Sequence, residues 1–209
     1  MKYYLSSYKL GNETNILKEL IDNTSKKFGY IPNALDFTSS DPVRKKLHTD
    51  KDMEDLKSLG AEVELLDLKN FFGKELDLSL KLEKLSGVYV SGGNSFILRQ
   101  SMYLSGFDKI ISEISKNKTD FVYIAYSAGV CVLTPSMKPY EITDDTIDMP
   151  YPEIKEQIWE GIGILNFTFE PHYKSNHPES ESIDKGIQYC IDNKILFKAY
   201  RDGEVLIIK

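Results

Sequence analysis

The feature that most constrains this chain is a unit that occurs twice: a short apolar run, a turn of small residues, and an apolar helix-forming stretch. In the first copy Gly87-Val88-Tyr89-Val90 runs into Ser91-Gly92-Gly93-Asn94, ahead of a helix expected through Phe96, Leu98 and Met102. In the second, Phe121-Val122-Tyr123-Ile124-Ala125 runs into Tyr126-Ser127-Ala128-Gly129 and the apolar stretch Val130 to Leu133. Short apolar runs rich in β-branched and aromatic residues suit strands buried on both faces, as in parallel sheets covered by helices. The upstream chain alternates in the same sense. Strands are expected over Lys2–Ser6, Gly29–Leu35 and Ala61–Leu68. Helices are expected over Glu13–Lys27 and from Asp41-Pro42 to Leu59, the second opened by a cap-then-proline signal and stopped by Gly60. The pattern reads as α/β with a mostly parallel sheet. In such sheets functional groups collect where strands end and turns open into a crevice.

Beyond Pro135 the pattern loosens into an acidic stretch from Glu141 to Asp148, with Pro150 and Pro152 marking a long loop or hairpin. A strand over Asn166–Phe169 ends at Glu170-Pro171-His172, and Pro178 to Asn193 reads as a helix. The chain then offers a hairpin, Ile195–Tyr200 with Glu204–Ile208, turned at Arg201-Asp202-Gly203. A length of 209 residues with 41% hydrophobic content supports one domain, 1–209, with one substantial core.

Charge and composition exclude several functions. A formal charge of −6 with scattered lysines argues against a nucleic-acid partner. No apolar run approaches the roughly 20 residues that a bilayer helix needs, and Met1 to Leu5 lacks the core of a signal peptide, so a cytoplasmic location is expected. Cys131 and Cys190 have neither the number nor the spacing of a disulfide framework or zinc site, and read as reduced packing residues.

Ser127 sits where a nucleophile needs to be, at a sharp turn after a buried strand, with Ala128 and Gly129 too small to hinder a tight bend. A serine hydroxyl becomes reactive only with a base to take its proton and donors to receive the developing oxyanion. The setting is similar to a nucleophile elbow, with Ala125 where that motif has glycine; a serine that merely caps the following helix gives the same local sequence. Gly92 and Gly93 offer a second turn whose amides can receive an anion. Ser91-Gly92-Gly93-Asn94 lacks the fingerprints of a dinucleotide or phosphate loop, and a plain turn requiring positive backbone angles remains the other reading. Of three histidines, only His172 lies at an expected strand end. His48 falls in a lysine-rich helix and reads as a solvated surface residue, and the five-residue interval from His172 to His177 does not suit a pair of metal ligands on one helical face.

Taken in order, Val90-Ser91-Gly92-Gly93-Asn94-Ser95-Phe96, Tyr126-Ser127-Ala128-Gly129, Asp148-Met149-Pro150 and Pro171-His172-Tyr173 resemble the successive signatures of the aspartyl dipeptidase (dipeptidase E) family of serine peptidases. The resemblance implies a three-layer α/β sandwich of the flavodoxin-like kind, related to class I glutamine amidotransferases, with serine in place of their cysteine and with no metal or organic cofactor. It implies Ser127 as nucleophile, His172 as base and Asp148 as the acidic third member. From the residues alone, Glu141, Asp144, Asp145 and Glu170 also compete for that last role. Gly93 and Ala128 are the candidate oxyanion donors, Gly92 shapes the turn, and Asn94 either contacts substrate or caps the next helix.

Family members that prefer an N-terminal aspartate carry basic residues in the segment after the histidine. Here Pro178-Glu179-Ser180-Glu181-Ser182-Ile183-Asp184-Lys185 holds no arginine, leaving Lys174 and Lys185 as the nearest substitutes. The expected activity is hydrolysis of a short peptide through an acyl-enzyme. A silent binding protein on the same fold and an amide hydrolase of the cyanophycinase type are the alternatives. Apolar residues around Tyr151 and Trp159 suit either a homodimer interface or the crevice wall.

Overall fold

The computed structural model describes residues 1–209. Its sheet has six strands in the order β3 (Glu62–Leu65), β2 (Lys27–Ile31), β4 (Gly87–Val90), β5 (Val122–Tyr126), β1 (Lys2–Ser6) and β8 (Val205–Ile208). The first five run parallel, and β8 pairs antiparallel with β1, Tyr3 opposite Ile208 and Ser6 opposite Val205.

Helices cover both faces, because alternate side chains of each central strand point to opposite sides and both sets are apolar. Tyr3, Leu5, Val88, Val90, Tyr123 and Ala125 join the larger core cluster. There they meet α3 (Glu75–Leu82) through Leu78, α4 (Ser95–Ser105) through Phe96 and Met102, and α5 (Phe107–Asn117) through Ile111. Tyr4, Tyr30, Tyr89, Ile124 and Tyr126 face the other way. They pack against Leu17, Leu20 and Ile21 of α1 (Thr14–Asp22) and Leu56 of α2 (Pro42–Ser58).

That second face hides a polar centre. Asp52 of α2 is fully buried and accepts hydrogen bonds from Lys9 Nζ (2.7 Å), the Tyr30 hydroxyl (2.8 Å) and the Tyr126 hydroxyl (2.6 Å). Burial pushes its carboxyl up, but the hydrogen bond from His48, the Lys9 charge and the tyrosine donor outweigh that and hold it at about 2.

Local chemistry sets the element ends. Asp41 caps α2, its side chain accepting from the Val43 amide, and Pro42 follows at the first helical position. The helix expected over Glu13–Lys27 stops at Asp22, because a left-handed turn at Lys26 (φ 65°) reverses the chain into β2. The strand expected over Gly29–Leu35 ends at Ile31. Pro32 has no amide to continue the ladder, and Asn33–Leu35 form a 3₁₀ turn.

The expected final hairpin does not form. The strand β7 (Phe197–Ala199) pairs parallel with β6 (Thr168–Glu170) in a separate two-stranded sheet, while β8 crosses to the free edge of β1. Joining β1 lets Val205 and Ile207 pack against the second core cluster, which a two-stranded hairpin could not offer. The Asp-Gly turn is present, closed by the Glu204 amide on the Arg201 carbonyl (2.9 Å), but it redirects the chain between two sheets.

Gly87 marks the tightest approach in the sheet centre. A Cβ there would lie 2.1 Å from the Val122 carbonyl oxygen, an overlap that only backbone movement of β5 relieves. Gly87→Ala should therefore lower the unfolding free energy by about 2 kcal/mol or more, read from the urea midpoint. A loss below about 0.5 kcal/mol would show that β4 and β5 separate freely.

Candidate active site

Ser127 leaves β5 with φ 47° and ψ −118°, a conformation that non-glycine residues rarely adopt, and α6 (Ala128–Cys131) begins directly after it. Its amide donates to the Ser6 carbonyl at the end of β1 (3.2 Å), and its side chain makes no capping bond to the helix. The hydroxyl lies instead 3.1 Å from His172 Nε2. The geometry is that of an elbow and not of a helix cap.

His172 follows β6 and Pro171, also with positive φ (58°), and is 1% exposed. Its amide donates to the Ser7 hydroxyl oxygen (2.8 Å), so neighbouring residues at one strand end hold both Ser127 and His172. Its Nδ1 lies 2.7 Å from Asp202 Oδ1. A carboxylate at Nδ1 selects the tautomer with the proton there, leaving Nε2 to accept from Ser127. The Ser7 hydroxyl stands 3.2 Å from the same Asp202 oxygen and 3.2 Å from the Tyr200 carbonyl, and its single proton serves one at a time. The Asp202 amide donates to Ser175 Oγ (2.8 Å), which fixes the turn from the other side.

The carboxylate beside His172 is thus Asp202, and Asp148 is not brought to the imidazole. Asp148 accepts from the Thr38 amide (3.0 Å) and the Thr38 hydroxyl, clipping its loop to the segment after the first 3₁₀ turn. The place next to Nδ1 is filled because β8, in joining β1, draws the preceding turn over Ser7. Glu170 is buried beside Cys190, and burial pushes its carboxyl up to about 8. Asp144 accepts from the Ser95 amide (2.9 Å) and hydroxyl at the start of α4, and burial raises it to about 6. Neither reaches the imidazole.

Asn94 takes the capping role. Its side chain accepts from the Ile97 amide (2.9 Å) and donates to the Asp145 carbonyl (2.8 Å), so both ends of its amide are engaged. Gly92 and Gly93 line the cleft beside Ser127. Gly93 has φ 137°, and a Cβ would lie 2.4 Å from the Ala34 carbonyl oxygen, so no other residue fits this turn. The backbone amides of Gly93 and Ala128 donate to no backbone acceptor in the chain.

The cleft holds about 560 Å³, within the range of small-molecule sites. Arg44, Lys45 and His48 of α2 line it together with Tyr8, His177 and Glu179. His48, expected on a solvated surface, is half-buried with Nε2 2.8 Å from the Tyr126 hydroxyl. Lys45 is paired with Asp36, whereas Arg44 has no carboxylate partner. Lys174 and Lys185 do not reach the cleft; Lys174 lies over the Tyr173 ring and Lys185 beside Glu181. Tyr151 is buried and donates to Asp36 (2.6 Å), while Trp159 packs edge-on against Phe96.

The His177 ring stacks on His172 with centroids 3.7 Å apart and planes within 6°. Ligand atoms of His172, His177 and Glu179 all lie within 4.8 Å of one another. An ion bound by imidazole lies near the ring plane at about 2 Å from nitrogen, and no point satisfies both of two parallel stacked rings. As placed, the pair does not suit a shared metal.

Peptidase family S51 matches residues 6–209. The chain belongs to that family. Among curated relatives, an uncharacterized peptidase of Listeria monocytogenes is 33% identical over 62% of this chain and 59% of its own length. Peptidase E of Streptomyces coelicolor is 29% identical over 51% of this chain and 39% of its own length. A probable alpha-aspartyl dipeptidase of Drosophila melanogaster is 31% identical over 53% of this chain and 41% of its own length. The matched stretch is thus less than two thirds of each of these relatives. A candidate peptidase E from Listeria monocytogenes EGD-e has the same α/β fold, with a TM-score of 0.72 at 24% identity over 100% of this chain and 98% of its own. A peptidase from an acI-B1 Actinobacterium gives a TM-score of 0.69 at 17% identity over 100% and 83%. No helix is long and apolar enough to cross a membrane.

Two outcomes follow from this geometry. Asp202→Asn should lower turnover by on the order of 10³-fold or more, while Asp148→Asn should stay within about tenfold of the unmodified chain. Burial lowers the His172 pKa below 6.5, and the Asp202 hydrogen bond only partly restores it. Activity that needs neutral His172 is therefore present above its folded pKa and lost as pH falls through it. The acid limb of kcat/KM should have its midpoint below 6.5, and a limb centred well above 6.5 would contradict the assignment.

Proposed function

We propose that this S51 chain is a serine-type dipeptidase that cleaves the amide bond of short peptides through an acyl-enzyme on Ser127. The single observation that carries the reading is the continuous run from Asp202 through His172 to the hydroxyl of a strained Ser127, open to a cleft of peptide size. In the proposed reaction Ser127 Oγ attacks the substrate carbonyl while His172 Nε2 takes its proton, and Asp202 stabilises the imidazolium. The oxyanion is received by the amides of Gly93 and Ala128. His172 then passes its proton to the departing amine, and water, activated by the same nitrogen, releases the acid.

The cleft geometry supports small substrates over folded proteins. Arg44 changes the expectation about charge, since it supplies from α2 a guanidinium that the segment after His172 lacks. A substrate carboxylate can pair with it bidentately. Because Arg44 is exposed, this contact discriminates modestly. Aspartyl peptides should therefore be preferred over neutral ones by about tenfold or less, measured as kcat/KM for a dipeptide series differing only in the first residue. A thousandfold preference would require a buried basic subsite that Arg44 does not provide.

The nucleophile is tested by incubation with a serine-directed fluorophosphonate and mass mapping, which should place the label on Ser127. Ser127→Ala should retain the fold and lose on the order of 10⁴-fold or more in turnover. Labelling elsewhere, or retention of about a tenth of the activity, would end the reading.

A further inference from the structure

Glu179 is the charged group in the cleft that the reaction scheme leaves without a task. It stands just ahead of α7 (Ser180–Asp192), with Oε2 3.9 Å from His172 Nε2, the nitrogen that faces Ser127. Its side chain is 40% exposed, open to the cleft, and no lysine or arginine of the chain pairs with it. The other acid lining the cleft, Asp41, is occupied as the cap of α2. Glu179 is also held in place: its amide donates to His177 Nδ1 (3.3 Å), and its carbonyl accepts from the Ile183 amide (2.9 Å) and the Ser182 hydroxyl (2.8 Å).

We propose that Glu179 is a cation subsite that receives the free α-ammonium of the substrate's first residue, so that the amino terminus anchors the peptide. This rests on Ser127 being the nucleophile. In a peptide cut after its first residue, the ammonium nitrogen is two bonds, about 2.5 Å, from the attacked carbonyl carbon. A carbonyl within reach of Ser127 Oγ therefore keeps its ammonium within a few ångströms of the Ser127–His172 pair, and Glu179 is the unpaired carboxylate that lines this part of the cleft. A peptide cut further along, or one with a blocked end, brings no cation there. Burial, with Asp144 and Asp202 nearby, pushes the Glu179 carboxyl up to about 7, consistent with a carboxylate whose counter-charge comes from the ligand. An ammonium pairing with Glu179 also relieves His172 of a second anion, leaving Nε2 directed at Ser127.

The test uses protection of Ser127 from fluorophosphonate, which needs binding but no turnover. Ala-Leu and Asp-Leu should slow labelling at concentrations about ten- to a hundredfold lower than their N-acetyl forms, the discrimination expected of a charge-assisted contact. In Glu179→Gln that ratio should collapse to within about threefold. Equal protection by free and acetylated peptides in the unmodified chain, or an undiminished ratio in Glu179→Gln, overturns the cation subsite while Ser127 labelling keeps the nucleophile. Protection by acetyl-Lys-Leu equal to that by Ala-Leu overturns the assignment to the amino terminus, because a side-chain cation then suffices. Absence of any label on Ser127 removes the nucleophile and the subsite together.

Discussion

The site hangs from the carboxyl end of β1. There the Ser6 carbonyl accepts from the Ser127 amide, and the adjacent Ser7 hydroxyl accepts from the His172 amide. Both held residues have positive φ without being glycine, a conformation that costs of order 1–3 kcal/mol each and persists only where the surroundings over-determine it. The strand between β5 and β8 supplies that constraint, being hydrogen-bonded on both edges and buried on both faces. Ser7 also reaches Asp202 and the Tyr200 carbonyl, so one small buried side chain joins the segments that carry the base and its carboxylate. The reactive geometry follows from sheet order: β1 lies between the strand that ends at Ser127 and the strand preceded by Asp202.

What could be read from the sequence divides along the same line. The strand-turn-helix units around Gly92 and Ser127 were legible because their signals are local: apolar runs of strand length followed by residues small enough for a tight turn. His172 was legible by position, at the end of an expected strand. Asp202 was visible only as a turn residue, since Arg201-Asp202-Gly203 says nothing about which strand the next segment will join. Had β8 closed a hairpin on β7, that carboxylate would have no reason to lie beside His172. Asp148 was carried by a motif whose local work is to tie Thr38, and no local pattern distinguishes a carboxylate that holds a loop from one that orients an imidazole. Ser7 and Glu179 were not singled out at all, because their roles exist only once distant segments meet. The same holds for Arg44, whereas His48 reads from the sequence as a solvated surface residue; both reach the cleft because α2 packs along its wall.

The electrostatics around His172 are balanced. Burial disfavours the imidazolium and Asp202 favours it, so the ring is neutral enough to accept a proton yet has a partner once it is charged. Glu179 presents a second carboxylate on the opposite nitrogen, and His177 covers one face of the ring. In the proposed reaction a base with anions at both nitrogens works best when one of them is otherwise engaged, as an ammonium on Glu179 would leave it.

The central claim is that Asp202 fixes His172 with its proton on Nδ1 and a bare Nε2 facing Ser127. Nitrogen-15 NMR of the histidine ring reads this directly at neutral pH. The account predicts a protonated Nδ1, an unprotonated Nε2, and loss of that arrangement in Asp202→Asn. An Nε2-protonated ring, or a tautomer that does not respond to Asp202, would contradict it.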